Sequence, residues 1–252
     1  MKRISAFILF LMVAINTNAQ DRIFNYTYQS TVLNKGQAEL EIWNTFKWDK
    51  IDYYRAFKNR IEFEIGLGKR LQTAFYLNIN TESQYTIQKK LVLNNSVVTE
   101  QNDTSISTTS DFSFSNEWKL KLSDPVADII GSALYAEVEL GTKESELEFK
   151  LILDKKINKI ITALNLVGAY EMENEVSNGK IEGESEFAAE IIYALAYQLN
   201  KSIHIGLEAK NINGFHDGAI ESSVLYAGPV FSYLKDNFWI NLTIFPQITA
   251  FK

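Results

Sequence analysis

Apolar and polar residues alternate along most of this chain with a period of two, the period of a β-strand. The clearest run is 37–48, QAELEIWNTFKW. Ala38, Leu40, Ile42, Phe46 and Trp48 share one side, interrupted by Asn44, and Glu39, Glu41, Trp43, Thr45 and Lys47 share the other. Such a run is longer than a typical soluble strand. The pattern returns at 59–68, 71–80, 111–122, 133–141, 146–154, 184–197, 202–210, 221–233 and 238–248. Residues 160–171 are apolar on both sides, which leaves their facing open. A helix competes at 184–197, where AAEIIYALAY is Ala-rich, but the alternation and the polar turn at Gln198, Asn200 and Lys201 favour a strand. The stretches 49–58, 174–183 and 211–219 read as loops. Residues 81–110, rich in Asn, Ser, Thr and Gln, read as irregular, with LVLNNSVV as a hairpin extension inside them. A short helical turn is expected at 126–131, and Gly228-Pro229 predicts a bulge, because proline cannot donate to the ladder.

Repeated alternation of this length describes a sheet with an apolar outside and a charged inside. A tilted strand needs about nine to eleven residues to cross a bilayer. In hydrocarbon no backbone group goes unpaired, so such a sheet must close. Aromatic residues fall near strand ends, Trp48, Tyr53 and Phe112 at one level and Tyr197, Tyr233, Phe238 and Trp239 at the other, as an interfacial girdle requires. The fold class expected is all-β: an antiparallel transmembrane β-barrel of about 12 strands, one domain over 20–252. The competing reading is a soluble β-sandwich or lipocalin-like barrel, in which the apolar face is the core.

Short links at one end and long ones at the other predict periplasmic turns and outer loops. That parity leaves the last alternating segment without a returning strand. Either 21–33, β-prone with Tyr26 and Tyr28 on one face, is a wall strand, or it sits at the periplasmic rim and a closing strand is missing.

The first residues add an address. Lys2 and Arg3 precede the apolar run 4–15, and Thr17-Asn18-Ala19 offers a small-residue cleavage site, so 1–19 reads as a signal peptide. Export without a long apolar helix predicts the outer membrane of a Gram-negative bacterium, with membrane lipids as partners. The formal net charge of -6 argues against nucleic acid. The absence of cysteine excludes disulfides and thiolate chemistry. The two histidines, His204 and His216, belong to no recognisable Ser/His pattern, so no enzyme activity and no cofactor are expected.

The succession FNYTYQSTVLNKGQAELEIWNTFKW, RIEFEIGLGKRLQTAFYL, AGPVFSY and FWINLTIFPQ resembles the exported outer-membrane β-barrel proteins of Bacteroidetes-type bacteria. Within that group it is most similar to the transporter-like barrels labelled as phenol-degradation meta-pathway proteins. The resemblance covers most of the mature chain and rests on structural motifs. It implies a pore or transporter and carries over no catalytic residue. Members usually continue past the PQ segment to a last strand, which this chain lacks.

Candidate chemistry therefore lies on the inward face. The lumen-facing residues expected are Glu39, Glu41, Lys47, Arg60, Glu62, Glu64, Glu117, Lys119, Lys121, Glu137, Glu139, Glu148, Lys150, Glu186, Glu190 and Glu208, joined by Glu146 and Lys210. One reading is an acidic lumen that passes small polar or cationic solutes. The other is a cross-strand salt-bridge lattice, Glu117/Lys119/Lys121 against Glu137/Glu139, that fills a non-conducting structural or surface-interaction barrel. Less weight falls on a lipid-modifying enzyme. Glu39/Glu41 and Glu62/Glu64 on neighbouring strands could converge as carboxylates that bind a hard cation, but no Asp-rich loop spacing accompanies them and no metal is expected.

Overall fold

A computed structural model describes residues 22–49, 53–94, 97–177, 180–216 and 218–251, so the signal-peptide reading of 1–19 lies outside the described residues. The described chain is a single antiparallel sheet: β1 (Ala38–Trp48), β2 (Tyr54–Gly66), β3 (Leu71–Asn94), β4 (Val97–Ser123), β5 (Gly131–Gly141), β6 (Glu144–Ile157), β7 (Ile160–Ser177), β8 (Lys180–Gln198), β9 (Ile203–His216), β10 (Ala219–Lys235), β11 (Phe238–Thr243) and β12 (Gln247–Phe251). Each strand up to β11 pairs with the next in sequence, and β12 also pairs with β10. No helix occurs among the described residues; the link before β5 makes one helical turn, the Asp128 N–H donating to the Asp124 carbonyl at 3.1 Å.

The alternation sets the facing. Ile42 is 66% exposed on the outer face, whereas Glu62, on the neighbouring strand's inner face, is 0% exposed. Leu40, Phe63, Leu77, Phe114, Leu134 and Phe149 all stand outward, and Gln72, Tyr76, Ser115, Tyr135 and Lys150 inward. Sheet and burial are thus the reverse of a soluble sandwich, where the apolar face is covered.

Several expected loops are strand. The polar stretch 81–110 is the upper part of a long ladder in which β3 and β4 pair from Leu71↔Leu120 to Asn94↔Val97. Likewise β2 begins at Tyr54, β7 and β8 run through most of 174–183, and β9 and β10 cover most of 211–219. Polar composition marked these segments as loops because nothing apolar is buried there; backbone pairing needs no apolar face. The β3–β4 ladder outruns its neighbours, since β2 pairs with β3 only up to Gln84 and β5 with β4 only up to Ser113.

The Gly228-Pro229 bulge is also corrected. β10 stays in register with β9 across Gly228↔Glu208 and Pro229↔Leu207. A strand residue directs N–H and C=O to the same side. The Pro229 carbonyl accepts from Ile244 N–H at 3.4 Å and from the Thr243 hydroxyl at 2.8 Å, so its missing donor falls on the edge strand. There β11 stops and β12 resumes past Pro246. A Cβ on Gly228 would lie 1.8 Å from the Ile244 carbonyl oxygen, so only glycine lets the edge strand pass so close.

Two further expectations change at the seam. The sheet curls, yet β1 and β11 share no backbone ladder among the described residues. Side chains meet across the gap: the Trp43 and Trp239 rings lie 5.7 Å apart, and Trp239 Nε1 donates to Glu39. Trp239 therefore points inward and does not belong to an outer girdle. Residues 22–34 are neither wall strand nor rim. They run through the interior, with Phe24 and Ser30 at 0% exposure.

That segment settles the facing of β7. Ile161 and Ala163 point inward and pack with Ala194, Ala196 and Val230 against Ile23 and Phe24. Residues on this wall are apolar on both sides because one side meets the outside and the other meets the segment. Full burial of an Ile or a Phe contributes about 1.5–3 kcal/mol each. Small inward residues, Ala163, Ala194 and Ala196, leave the space that the segment occupies.

Candidate functional site

The interior is built in two levels. Toward the short turns it is filled by residues 22–34, which are pinned by side chains from strands all round the sheet. Glu208 on β9 accepts three backbone N–H groups, Asn25 at 3.1 Å, Tyr26 at 2.9 Å and Thr27 at 2.9 Å, and the Thr27 hydroxyl at 3.0 Å. Asn165 on β7 accepts the Tyr28 N–H at 2.6 Å and donates to the Tyr28 carbonyl at 3.0 Å. Gln72 on β3 accepts the Leu33 N–H at 2.9 Å. A segment with no strand partner must satisfy its backbone through such groups, because an unpaired buried donor is costly.

Cations and rings complete the docking. The Arg22 guanidinium lies 4.3 Å from the Trp43 ring and 4.4 Å from the Tyr28 ring, and 3.3 Å from Glu41. The Lys150 ammonium sits 4.3 Å from Tyr28 and 4.2 Å from Tyr135 while pairing with Glu148 at 2.7 Å. Tyr26 stacks on Phe245 at 4.6 Å, at the link between β11 and β12. The segment thus touches both sides of the open seam.

The sixteen residues of the expected inner parity differ in burial. Glu39, Glu41, Glu62, Glu64, Glu117, Lys119, Glu137, Lys150 and Glu208 are buried on the inner face. Arg60, Lys121, Glu139, Glu148 and Glu190 are half-buried, and Lys47 and Glu186 are exposed on the same parity. The expected lattice is not formed. Register sets Glu117 opposite Glu137 and Lys119 opposite Tyr135. Lys121 pairs instead with Asp124 at 2.7 Å, and Lys210 with Glu190 at 2.7 Å.

Acids face acids instead. Glu39 is opposite Glu64 and Glu41 opposite Glu62. Away from the short turns, a row runs Glu139, Glu146, Glu171, Glu186 across β5 to β8, and a second runs Glu144, Glu173, Glu184 across β6 to β8. Like charges directly opposite destabilise a sheet. The Ser113 and Ser115 hydroxyls donate to Glu139 at 2.5 and 3.1 Å. The arrangement concentrates negative charge at the partly exposed end of the inner face.

His204 is buried on β9 and His216 is exposed at the end of the same strand, so the two histidines do not converge. A groove of about 970 Å3 lies on the outer face, lined by Leu195, Tyr197, Ile205, Leu207, Phe231 and Ile244 among others. Its lining is almost wholly apolar. Sequence reasoning missed the docked segment; the Ala-rich inner parity of β8 was the available signal.

One turn outside the wall carries a titration. The Asp124 carboxylate accepts from Lys121 at 2.7 Å and from the N–H groups of Val126 at 2.9 Å and Ala127 at 3.0 Å. These donors favour the charged form and hold its pKa well below the ordinary 3.8. A depressed carboxylate contributes stability fully above its ordinary pKa and loses it as pH falls through the folded value. Because the group is well exposed, the loss is below about 1 kcal/mol. Thermal midpoints of Asp124→Asn and the unaltered protein are expected to differ at pH 6 and to converge as the pH falls below about 3; a constant difference across that range would contradict the assignment.

A family model matches residues 16–250, nearly the whole chain. No curated protein matches it.

Proposed function

The chain belongs to the Family of unknown function (DUF6662), and on that premise we propose that it is an outer-membrane barrel of a Gram-negative bacterium, exported by residues 1–19. Its acidic interior admits small cationic or polar solutes and is stoppered by residues 22–34. The resemblance to Bacteroidetes-type transporter-like barrels agrees with this reading. The observation that carries it is the inversion of burial: apolar residues such as Ile42 stand outside while Glu62, Glu64 and Glu117 are buried. An apolar belt of this extent is stable against lipid and costly against water. The stopper gives the passage a closed resting state.

Reconstitution into planar bilayers tests it. The unaltered chain is expected to resist extraction from vesicles by alkaline carbonate and to carry no steady current. Failure to remain with the membrane would refute the location, and a steady current would refute the stopper.

A second reading, a surface-interaction barrel, rests on the β3–β4 ribbon. Beyond both neighbours it is two-stranded and exposes Tyr85, Ile87 and Ile106. Isolated two-stranded ribbons are marginal in water, so this one is a candidate for contact with another surface. Current through a variant with its stopper released would favour passage; absence of current in every such variant would favour the ribbon.

A further inference from the structure

We propose that Glu62, Glu64 and Glu117 form a binding site for a hard divalent cation, calcium by preference, inside the sheet. One carboxylate oxygen from each of the three lies within 4.8 Å of the others. They come from β2 and β4, with Glu64 and Glu117 both in register with Ala74 on the intervening β3. Glu62 and Glu117 are 0% exposed and Glu64 is 1% exposed.

The second observation is the state of the oxygens. Gln72 Nε2 donates to Glu64 at 2.8 Å, and the Tyr76 hydroxyl donates to one oxygen of Glu117. Both oxygens of Glu62 and the other oxygen of Glu117 are buried and receive no N–H or hydroxyl donor among the described residues; Glu62 meets only the neighbouring Glu64 carboxyl. Native proteins rarely leave buried carboxylate oxygens in that condition, and a bound ion is a standard way to satisfy them. One oxygen from each of the three residues supplies three converging hard ligands. Calcium takes six to eight oxygens in flexible geometry and accepts bidentate carboxylates, so water completes the shell.

Nearby cations act on these carboxylates from a distance, but none forms an ion pair with them among the described residues. Arg22 is committed to Glu41 and to the Tyr28 and Trp43 rings. Arg60 donates to Asn78 at 3.0 Å and lies over Tyr76. Lys119 lies 5.7 Å from the Tyr28 ring. Glu39, Glu41, Glu62, Glu64 and Glu117 thus set five carboxylates against Arg22, Arg60, Lys119 and Lys150, and a bound cation would offset the excess. The ion would also join β2 to β4 just where Gln72 anchors the interior segment. The acidic rows farther along the inner face, Glu144, Glu146 and Glu171 among them, are partly exposed, so water can solvate their oxygens.

The test is refolding of the full chain with calcium or with EDTA, in detergent or in buffer alone, whichever keeps it folded. Membrane location therefore does not enter the result. Calcium during refolding is expected to raise the thermal midpoint by several degrees, and terbium to bind with emission sensitised by Tyr76 and to be displaced by calcium. Glu62→Gln and Glu117→Gln are each expected to weaken terbium binding at least tenfold, with Glu146→Gln leaving it unchanged. A midpoint indifferent to calcium and EDTA would overturn the site without any variant. So would undiminished terbium affinity in Glu62→Gln, or loss of binding in Glu146→Gln, which would place the ion at the partly exposed end. A Glu62→Gln chain that is more stable than the calcium-loaded parent would overturn it in favour of shared protons.

Discussion

Replacement of Glu208 by alanine is expected to loosen the start of the interior segment, residues 22–27, and to turn a silent protein into a conducting one. The carboxylate is the acceptor for the N–H groups of Asn25, Tyr26 and Thr27 and for the Thr27 hydroxyl. No other strand offers this turn of the segment a ladder, so alanine strands four donors at once. Each buried unsatisfied donor costs about 1–3 kcal/mol, and water entering the vacated space recovers part of it, which leaves a loss on the order of 3–6 kcal/mol in docking. Asn165 and Gln72 would still hold Tyr28 and Leu33, so the wall stays folded while the segment detaches at its start. Two measurements check this. Proteolysis within 22–29 should become rapid in the variant only, and planar bilayers should show cation-selective openings absent from the parent. A variant as resistant and as silent as the parent would defeat the stopper. Glu208→Gln retains one acceptor oxygen and is expected to fall between the two.

Leu151→Arg is expected to be nearly as damaging, for the opposite reason. Leu151 stands near the middle of β6 on the outer face, 37% exposed, with Leu134 and Leu166 directly beside it. An arginine at the bilayer midplane of a β-barrel costs about 2–4 kcal/mol. On a water-exposed surface the same change is worth within about 0.5 kcal/mol in either direction. Urea-dependent folding into phosphocholine vesicles, followed by heat-modifiable mobility on gels, separates these values. A stability within error of the parent would place this face in water and sink the membrane reading. Leu151→Ala, which alters packing without introducing charge, controls for lost contacts.

The strand pattern and the two faces were legible in the sequence because a strand's period of two writes its environment directly into alternate residues. Asp154 and Glu171 were not assigned by parity, but the facing of inward acids such as Glu39, Glu62, Glu117 and Glu208 followed from it. So did the outward set, including Leu40, Phe114 and Leu134. Parity is local, however, and the features that decide what the interior does are not. Three of the polar stretches became strand because pairing with the adjacent chain satisfies their backbone whatever their side chains. The facing of β7 needed the partner it packs on, since Ile161 and Ala163 are apolar for the sake of Ile23 and Phe24 rather than lipid. Trp239 was assigned to the outside by its aromatic character and was turned inward by Glu39, a residue two hundred positions away. Register decided that Glu117 meets Glu137 rather than a lysine. It also decided that the carboxylates of Glu62, Glu64 and Glu117 converge without enough donors. Alternation along one chain fixes which side a group faces. Only the curvature and stagger of neighbouring strands fix which groups share that side at bonding distance.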